Sequence, residues 1–161
     1  LRAYWREIVC LAVVLGAVAV VGGFASVAWL NERKLVEVRA LMDHDQFARA
    51  RAILDRAPLS WSRWPEVYYR RGVCAHAGGD IPEAVAQWAS VYPHSEWAGR
   101  AGLARAKTLV GDLGRFRDAE ELLLKLLKAG YREGEEARHT LSELYFWEGR
   151  RDAVRRLLEE N

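Results

Sequence analysis

A chain of 161 residues, 51% apolar and 29% charged, has room for about one ordinary domain plus a short appendage, and is too apolar to remain disordered. A formal charge of +2 excludes the basic glove that nucleic-acid binding needs: residues 31–115 carry 13 Lys/Arg against 10 Asp/Glu, and residues 116–161 carry 9 against 11. Two cysteines, Cys10 and Cys74, make no disulfide framework, and a composition led by Leu, Ala, Arg and Glu with 4 Pro favours helices.

The first element is an apolar run. From Ile8 to Leu30 there are 23 residues without a charge, and at about 1.5 Å per residue this covers roughly 30 Å or more, enough to cross a bilayer. Tyr4 and Trp5 stand at one end and Trp29 at the other, where amphipathic rings favour the headgroup level. The expected element is a transmembrane helix over about 8–30 within an anchor of residues 1–34. The alternative is a cleaved signal peptide, with Ser26-Val27-Ala28 offering small residues before Trp29. Ala12, Gly16, Ala19, Gly23 and Ser26 fall at spacings of 4, 3, 4 and 3, a small-residue face that would admit a second helix and allow self-association.

Orientation is read from charge. Arg2 and Arg6 precede the run, while Arg33, Lys34, Arg39 and Arg49 follow it, which favours a cytoplasmic repeat region. A short N-tail retained inside, as in signal anchors, argues the other way. The expected location is a single-pass membrane protein with extracytoplasmic, periplasmic repeats, the cytoplasmic side staying open.

Beyond Asn31 the pattern becomes amphipathic helices separated by short turns. The map is a helix over 4–44, bent near 31, then helices over 46–57, 65–79, 82–91, 95–111, 115–129, 134–148 and 150–160. These segments repeat. Ala50, Ala84, Ala119 and Ala153 open similar stretches at separations of 34, 35 and 34, and Gly79, Gly114 and Gly149 in the preceding turns lie 35 apart. Pro58 and Pro93 are also 35 apart. A small residue lets one helix press on another, and Leu54, Trp88, Leu123 and Leu157 follow each alanine by one helical turn on the same face. Phe47, Ile81 and Phe116, three residues before their alanines, are expected to plug the gaps between helix pairs, with Arg150 at the corresponding place in the fourth unit. Gly at the turn supplies the left-handed conformation that ends a helix.

The period of 34, with Tyr68, Gly72, Ala84 and Trp88 at the aromatic, glycine, alanine and aromatic positions, resembles the tetratricopeptide repeat. The stretch Trp88 to Ala101 looks like the short-turn variety found in bacterial envelope proteins. The resemblance spans residues 35–161, about 3.5–4 repeats, and implies an all-α fold: a right-handed α-solenoid of antiparallel helix pairs hung from the transmembrane helix. There are departures. The third unit carries an apparent insertion around Asp112-Leu113-Gly114, the first lacks a clean turn glycine, and the last ends without the polar cap such arrays need. Together with Leu at position 1, that last feature points to a segment of a longer protein.

By the same resemblance, a partner peptide lies in a groove lined by first helices. The positions carried over are Glu66, Tyr69, Val73 and His76 in the second unit, Arg105 and Thr108 with Ala98 and Ala101 in the third, and Glu136, His139, Glu143 and Phe146 in the fourth. The lining mixes both signs with aromatic groups. The groove could equally receive further repeats of a longer superhelix.

Motifs for catalysis are absent from the sequence. His44 between Asp43 and Asp45 reads as a solvated turn, Cys74 and His76 diverge by about 200° on a helix, and no phosphate-loop, nucleophile-elbow or zinc spacing occurs. No cofactor or metal is expected. Of the 7 Trp, Trp88, Trp97 and Trp147 are assigned to packing faces, and Trp61 and Trp64 in the longest connection either cover a groove or meet a partner. The expected role is an anchored scaffold for protein–protein interaction or complex assembly, the alternative being the membrane-proximal stem of a larger protein whose activity lies downstream.

Overall fold

The computed structural model describes residue 23 and residues 29–56 and 64–159, and every regular element among them is a helix. The chain divides into two compact units, Leu1–Gln46 and Phe47–Asn161.

In the first unit, residues 29–43 form helix α1. One stripe of it, Asn31, Leu35 and Val38, is buried, whereas Trp29, Arg33, Val36 and Ala40 are exposed. The helix is closed by two backbone bonds: the Asp45 N–H donates to the Met42 carbonyl at 3.1 Å and the Gln46 N–H to the Leu41 carbonyl at 2.8 Å. Asp45 has φ 56°, so it takes the left-handed place that glycine fills in the later turns. The apolar run over 8–30 lies outside the described residues except for Gly23, Trp29 and Leu30, all helical. Of the small-residue face, Ala12, Gly16, Ala19 and Ser26 lie outside them too. Among the described residues no helix is long and apolar enough to cross a membrane.

The second unit is a run of seven helices: α2 (Phe47–Asp55), α3 (Pro65–Ala77), α4 (Ile81–Ala89), α5 (Ala98–Gly111), α6 (Phe116–Ala129), α7 (Gly134–Trp147) and α8 (Arg151–Glu159). Each packs on the next, and in addition α3 touches α5 and α5 touches α7. The helix starts follow local chemistry. Pro65 opens α3 where a missing N–H costs nothing. Asp80 caps α4, its Oδ1 accepting from the Glu83 N–H at 3.3 Å. Helix α5 starts at Ala98 rather than 95, because residues 93–97 form a turn closed by the Ala98 N–H to the Ser95 carbonyl at 3.1 Å.

The helix ends repeat one motif. The Gly79 N–H donates to His76 and the Asp80 N–H to Ala75; in the last pair the Gly149 N–H donates to Phe146 and the Arg150 N–H to Tyr145. These are the two bonds of a Schellman close, with the glycine left-handed at φ 79° and 73° respectively. In the third unit the equivalent long bond runs from the Arg115 N–H to the Leu109 carbonyl at 2.7 Å, spanning six residues instead of five. The insertion seen in sequence is therefore a single residue in this turn, and α5 ends at Gly111 as the sequence implies.

The core follows the alanines. Ala50, Ala84 and Ala119 are fully buried, Ala153 partly so, and Leu54, Trp88, Leu123 and Leu157 are buried beside them. Burial of a large apolar side chain of this kind stabilises by about 1.5–3 kcal/mol. Two packing expectations are corrected. Phe116, which follows the lengthened turn, is exposed while Phe47 and Ile81 are half-buried. Trp147 is 82% exposed, because it is the last residue of α7, at the helix-end place that Ala77 and Gly111 occupy in α3 and α5.

Arg150 explains the departure in the fourth unit. Its guanidinium grips Glu120 with both arms, Nη1 to Oε2 at 2.9 Å and Nη2 to Oε1 at 3.0 Å, and lies 4.3 Å over the Tyr145 ring. The Tyr145 hydroxyl donates to Glu120 Oε1 at 2.8 Å. An ion-paired, stacked guanidinium thus stands where an apolar plug stands elsewhere. The hydrogen bonds from Arg150 hold the Glu120 carboxyl below its ordinary range. Burial, with Glu120 beside it, pushes the Tyr145 hydroxyl up to about 12.

Candidate interaction surface

The first helices of successive pairs touch, so their outward faces form one continuous surface across α3, α5 and α7. The repeated helix-end bonds fix its register. Ala75, Leu109 and Tyr145 accept equivalent bonds, so the step is 34 residues from α3 to α5 and 36 from α5 to α7. Applied to the sequence, this aligns Glu66, Arg100 and Glu136; Tyr69, Leu103 and His139; Val73, Lys107 and Glu143; and His76, Val110 and Phe146.

The α3 and α7 positions expected from sequence thus fall in matching rows, while those on α5 do not. Thr108 is only 3% exposed, Ala98 and Ala101 are buried, and Arg105 is half-buried with its Nε enclosed and without a partner. The error is one of counting. Placing Arg105 beside Val73 takes a step of 32, whereas the extra residue lies after α5, in the turn to α6, and leaves the step into α5 at 34. Arg100 and Lys107 are the residues sequence reasoning missed. Their signal was present: each lies 34 residues beyond an assigned position.

A shallow pocket of about 310 Å³ opens on this surface, lined by Tyr69, Arg100, Ala104, Lys107, Glu133 and Glu136. Its charges are paired across helices. Lys107 Nζ meets Glu136 Oε1 at 2.5 Å and Arg100 Nε meets Glu133 Oε1 at 3.4 Å. Tyr69 stacks on Trp97 with centroids 5.2 Å apart, and the Arg70 and Arg100 guanidiniums lie 5.5 and 5.1 Å from the Trp97 ring. Arg70 in turn holds Glu66 at 2.7 Å. Farther along, His139 and Glu143 are 3.6 Å apart and both exposed, His76 Nε2 is 3.0 Å from Asp112 Oδ2, and Phe146 is 67% exposed.

This is a surface with an aromatic floor and balanced charge, suited to noncovalent contact. Among the described residues no three metal-ligating side chains gather at one place. His44 is exposed in the turn after α1. Cys74 is buried, and that burial pushes its thiol up to about 11, away from the nucleophilic thiolate. Trp61 lies outside the described residues; Trp64 is half-buried ahead of α3.

Antiparallel helix pairs stacked at a step near 34 define an α-helical repeat protein. Residues 35–102 match the family model of the tetratricopeptide repeat. Helix pairs α5–α6 and α7–α8 lie almost wholly beyond that match and carry the register onward with the same turn motif. No curated protein matches the chain.

Proposed function

We propose that this chain is a membrane-anchored scaffold that binds a protein partner along the face of α3, α5 and α7, and that it holds a complex together rather than catalysing a reaction. The observation that carries the reading is the aligned surface: Tyr69, Arg100, Lys107 and Glu136 converge on one pocket from three successive first helices. Cross-helix ion pairs hold these side chains in place before a partner arrives, which lowers the ordering cost of binding. The balance of both signs favours a partner segment that is itself mixed, with an apolar group for Tyr69 and Phe146.

Anchoring rests on the uncharged run Ile8–Leu30. We place the repeats on the periplasmic side of a bacterial envelope, from the short-turn character of the repeat over Trp88 to Ala101. A reporter fused after Asn161 tests that side, and an active cytoplasmic reporter would reverse it.

The function is tested by crosslinking and pull-down from membranes, comparing the wild type with a Tyr69→Ala, Phe146→Ala variant whose helicity is first checked by circular dichroism. Loss of the captured partner supports the groove. Unchanged partners remove it, and no partner for either protein favours a structural stem.

A further inference from the structure

We propose that the outer face of α1 lies against the headgroup layer of a bilayer, with Trp29, Leu30 and Val36 among the headgroups and Arg33 and Lys34 on lipid phosphates. The inference rests on the anchor reading and extends it from the span to the helix that follows.

Helix α1 has two unlike sides. Asn31, Leu35 and Val38 are buried; the stripe two residues round from them, Trp29, Arg33, Val36 and Ala40, faces outward. On that outward side Trp29 is 59% exposed, Leu30 51% and Val36 53%. They border a shallow, mostly apolar recess of about 580 Å³ that Ala40, two bases (Arg33, Lys34) and two acids (Glu32, Glu37) complete. Scattered exposed apolar residues are ordinary, but three within about two helical turns, two closing the uncharged run of 23 residues and the third six positions beyond it, form a patch that calls for a cover. The Arg33 guanidinium lies 4.7 Å over the Trp29 ring. Indole with a cation beside it suits the membrane–water boundary, where the ring stays amphipathic and the charge reaches phosphate.

A second copy is the competing cover, and charge disfavours it. Two anchored copies must run parallel. Packing through this stripe would set Arg33 against its own mate and bring Glu32 of one copy towards Glu37 of the other. Lipid phosphates instead complement Arg33 and Lys34, while Glu32 is held by Arg39 of the same chain at 3.2 Å.

The geometry adds a requirement. At about 1.5 Å per residue Val36 lies roughly 9 Å along the axis from Leu30, and the interfacial layer of one leaflet is about 5–8 Å deep. An upright helix would lift Val36 clear of it. The helix must lean with this face towards the lipid.

The test uses the full chain with Cys10→Ser and Cys74→Ala, spin-labelled at Val36→Cys and reconstituted into phosphatidylcholine vesicles with or without phosphatidylglycerol. A label at Lys125→Cys, on an exposed position of α6, is the aqueous reference. The label at 36 is expected to be several-fold more accessible to oxygen, relative to a water-soluble nickel complex, than the label at 125. Phosphatidylglycerol should increase the difference, and Arg33→Gln with Lys34→Gln should remove that increase. Equal accessibility at the two positions overturns the proposal, as does dipolar broadening at 36 that reports a second copy. An alkaline wash separates the two readings: chain released from the vesicles sinks the anchor and this contact together, whereas retained chain with a water-exposed label sinks this contact alone.

Discussion

The indole of Trp88 on α4 lies directly over Gly72 on α3, and its Nε1 donates to the Tyr69 carbonyl at 3.1 Å. A side chain begun at Gly72 would come within 2.6 Å of Trp88 Cδ1. No methyl group fits there without moving the ring. The equivalent places on α5 and α7 are Ala106 and Ser142, and the residues at the Trp88 position in the later pairs are the smaller Leu123 and Leu157. Overpacking of this kind costs about 1–3 kcal/mol. Gly72→Ala should therefore lower the thermal midpoint by several degrees, and Trp88→Leu in the same chain should recover part of the loss. Unchanged melting of Gly72→Ala would show that the ring is not held where the hydrogen bond puts it.

Asp45 and Gly79 occupy equivalent left-handed positions, at φ 56° and 79°, but only one of them is glycine. A residue with a Cβ costs about 1–2 kcal/mol in that conformation. Gly79→Ala should destabilise by about 1 kcal/mol, and Asp45→Gly should be neutral or stabilising by up to about 1 kcal/mol. Denaturant melts of the two variants measure the contrast. A loss of stability in Asp45→Gly would mean that the aspartate side chain does more for the turn than its backbone strain removes.

Glu120 links pH to stability. Its folded carboxyl titrates below the ordinary range because Arg150 hydrogen-bonds the charged form. The contribution is complete above the unfolded value of about 4.3 and disappears as pH falls through the lowered folded value. Glu120→Gln should therefore narrow the drop in thermal midpoint between neutral and strongly acidic solution. The pair is partly exposed, so salt should weaken its effect. An acid-induced drop as large in Glu120→Gln as in the wild type would assign that loss to other carboxylates.

Cys74 should be silent in the native protein. It is buried and its thiol is raised to about 11, so at mildly alkaline pH almost no thiolate is present to react. Alkylation of a Cys10→Ser chain is expected to be slow in buffer and rapid in denaturant. Fast labelling of the native chain would reveal opening between α3 and its neighbours.

Much of the helical framework was legible in the linear pattern because its causes are local. A buried alanine every 34 or 35 residues, a large apolar group one turn later and a glycine in the turns before Ala84, Ala119 and Ala153 are set by helix periodicity and backbone sterics, and Ala50, Ala84 and Ala119 all proved fully buried. The break between helices at Asp45 was legible, but not its left-handed backbone, because aspartate is an uncommon but permitted residue there. Trp147 was misassigned because its apolar character was read without its place at a helix end.

What the sequence by itself determined, then, is the kind of unit and its repeat. Which side chains meet between units was decided only by tertiary structure. The step between first helices changes from 34 to 36, one of the two added residues lying in the turn after α5, and near 100° of helical rotation per residue a small miscount turns a groove residue inward. Arg100 and Lys107 therefore replace Arg105 and Thr108 on the surface, and Arg150 serves in place of an apolar plug because Glu120 and Tyr145 on neighbouring helices are there to receive it. Contacts between elements depend on where whole helices come to rest, and local pattern carries no record of that.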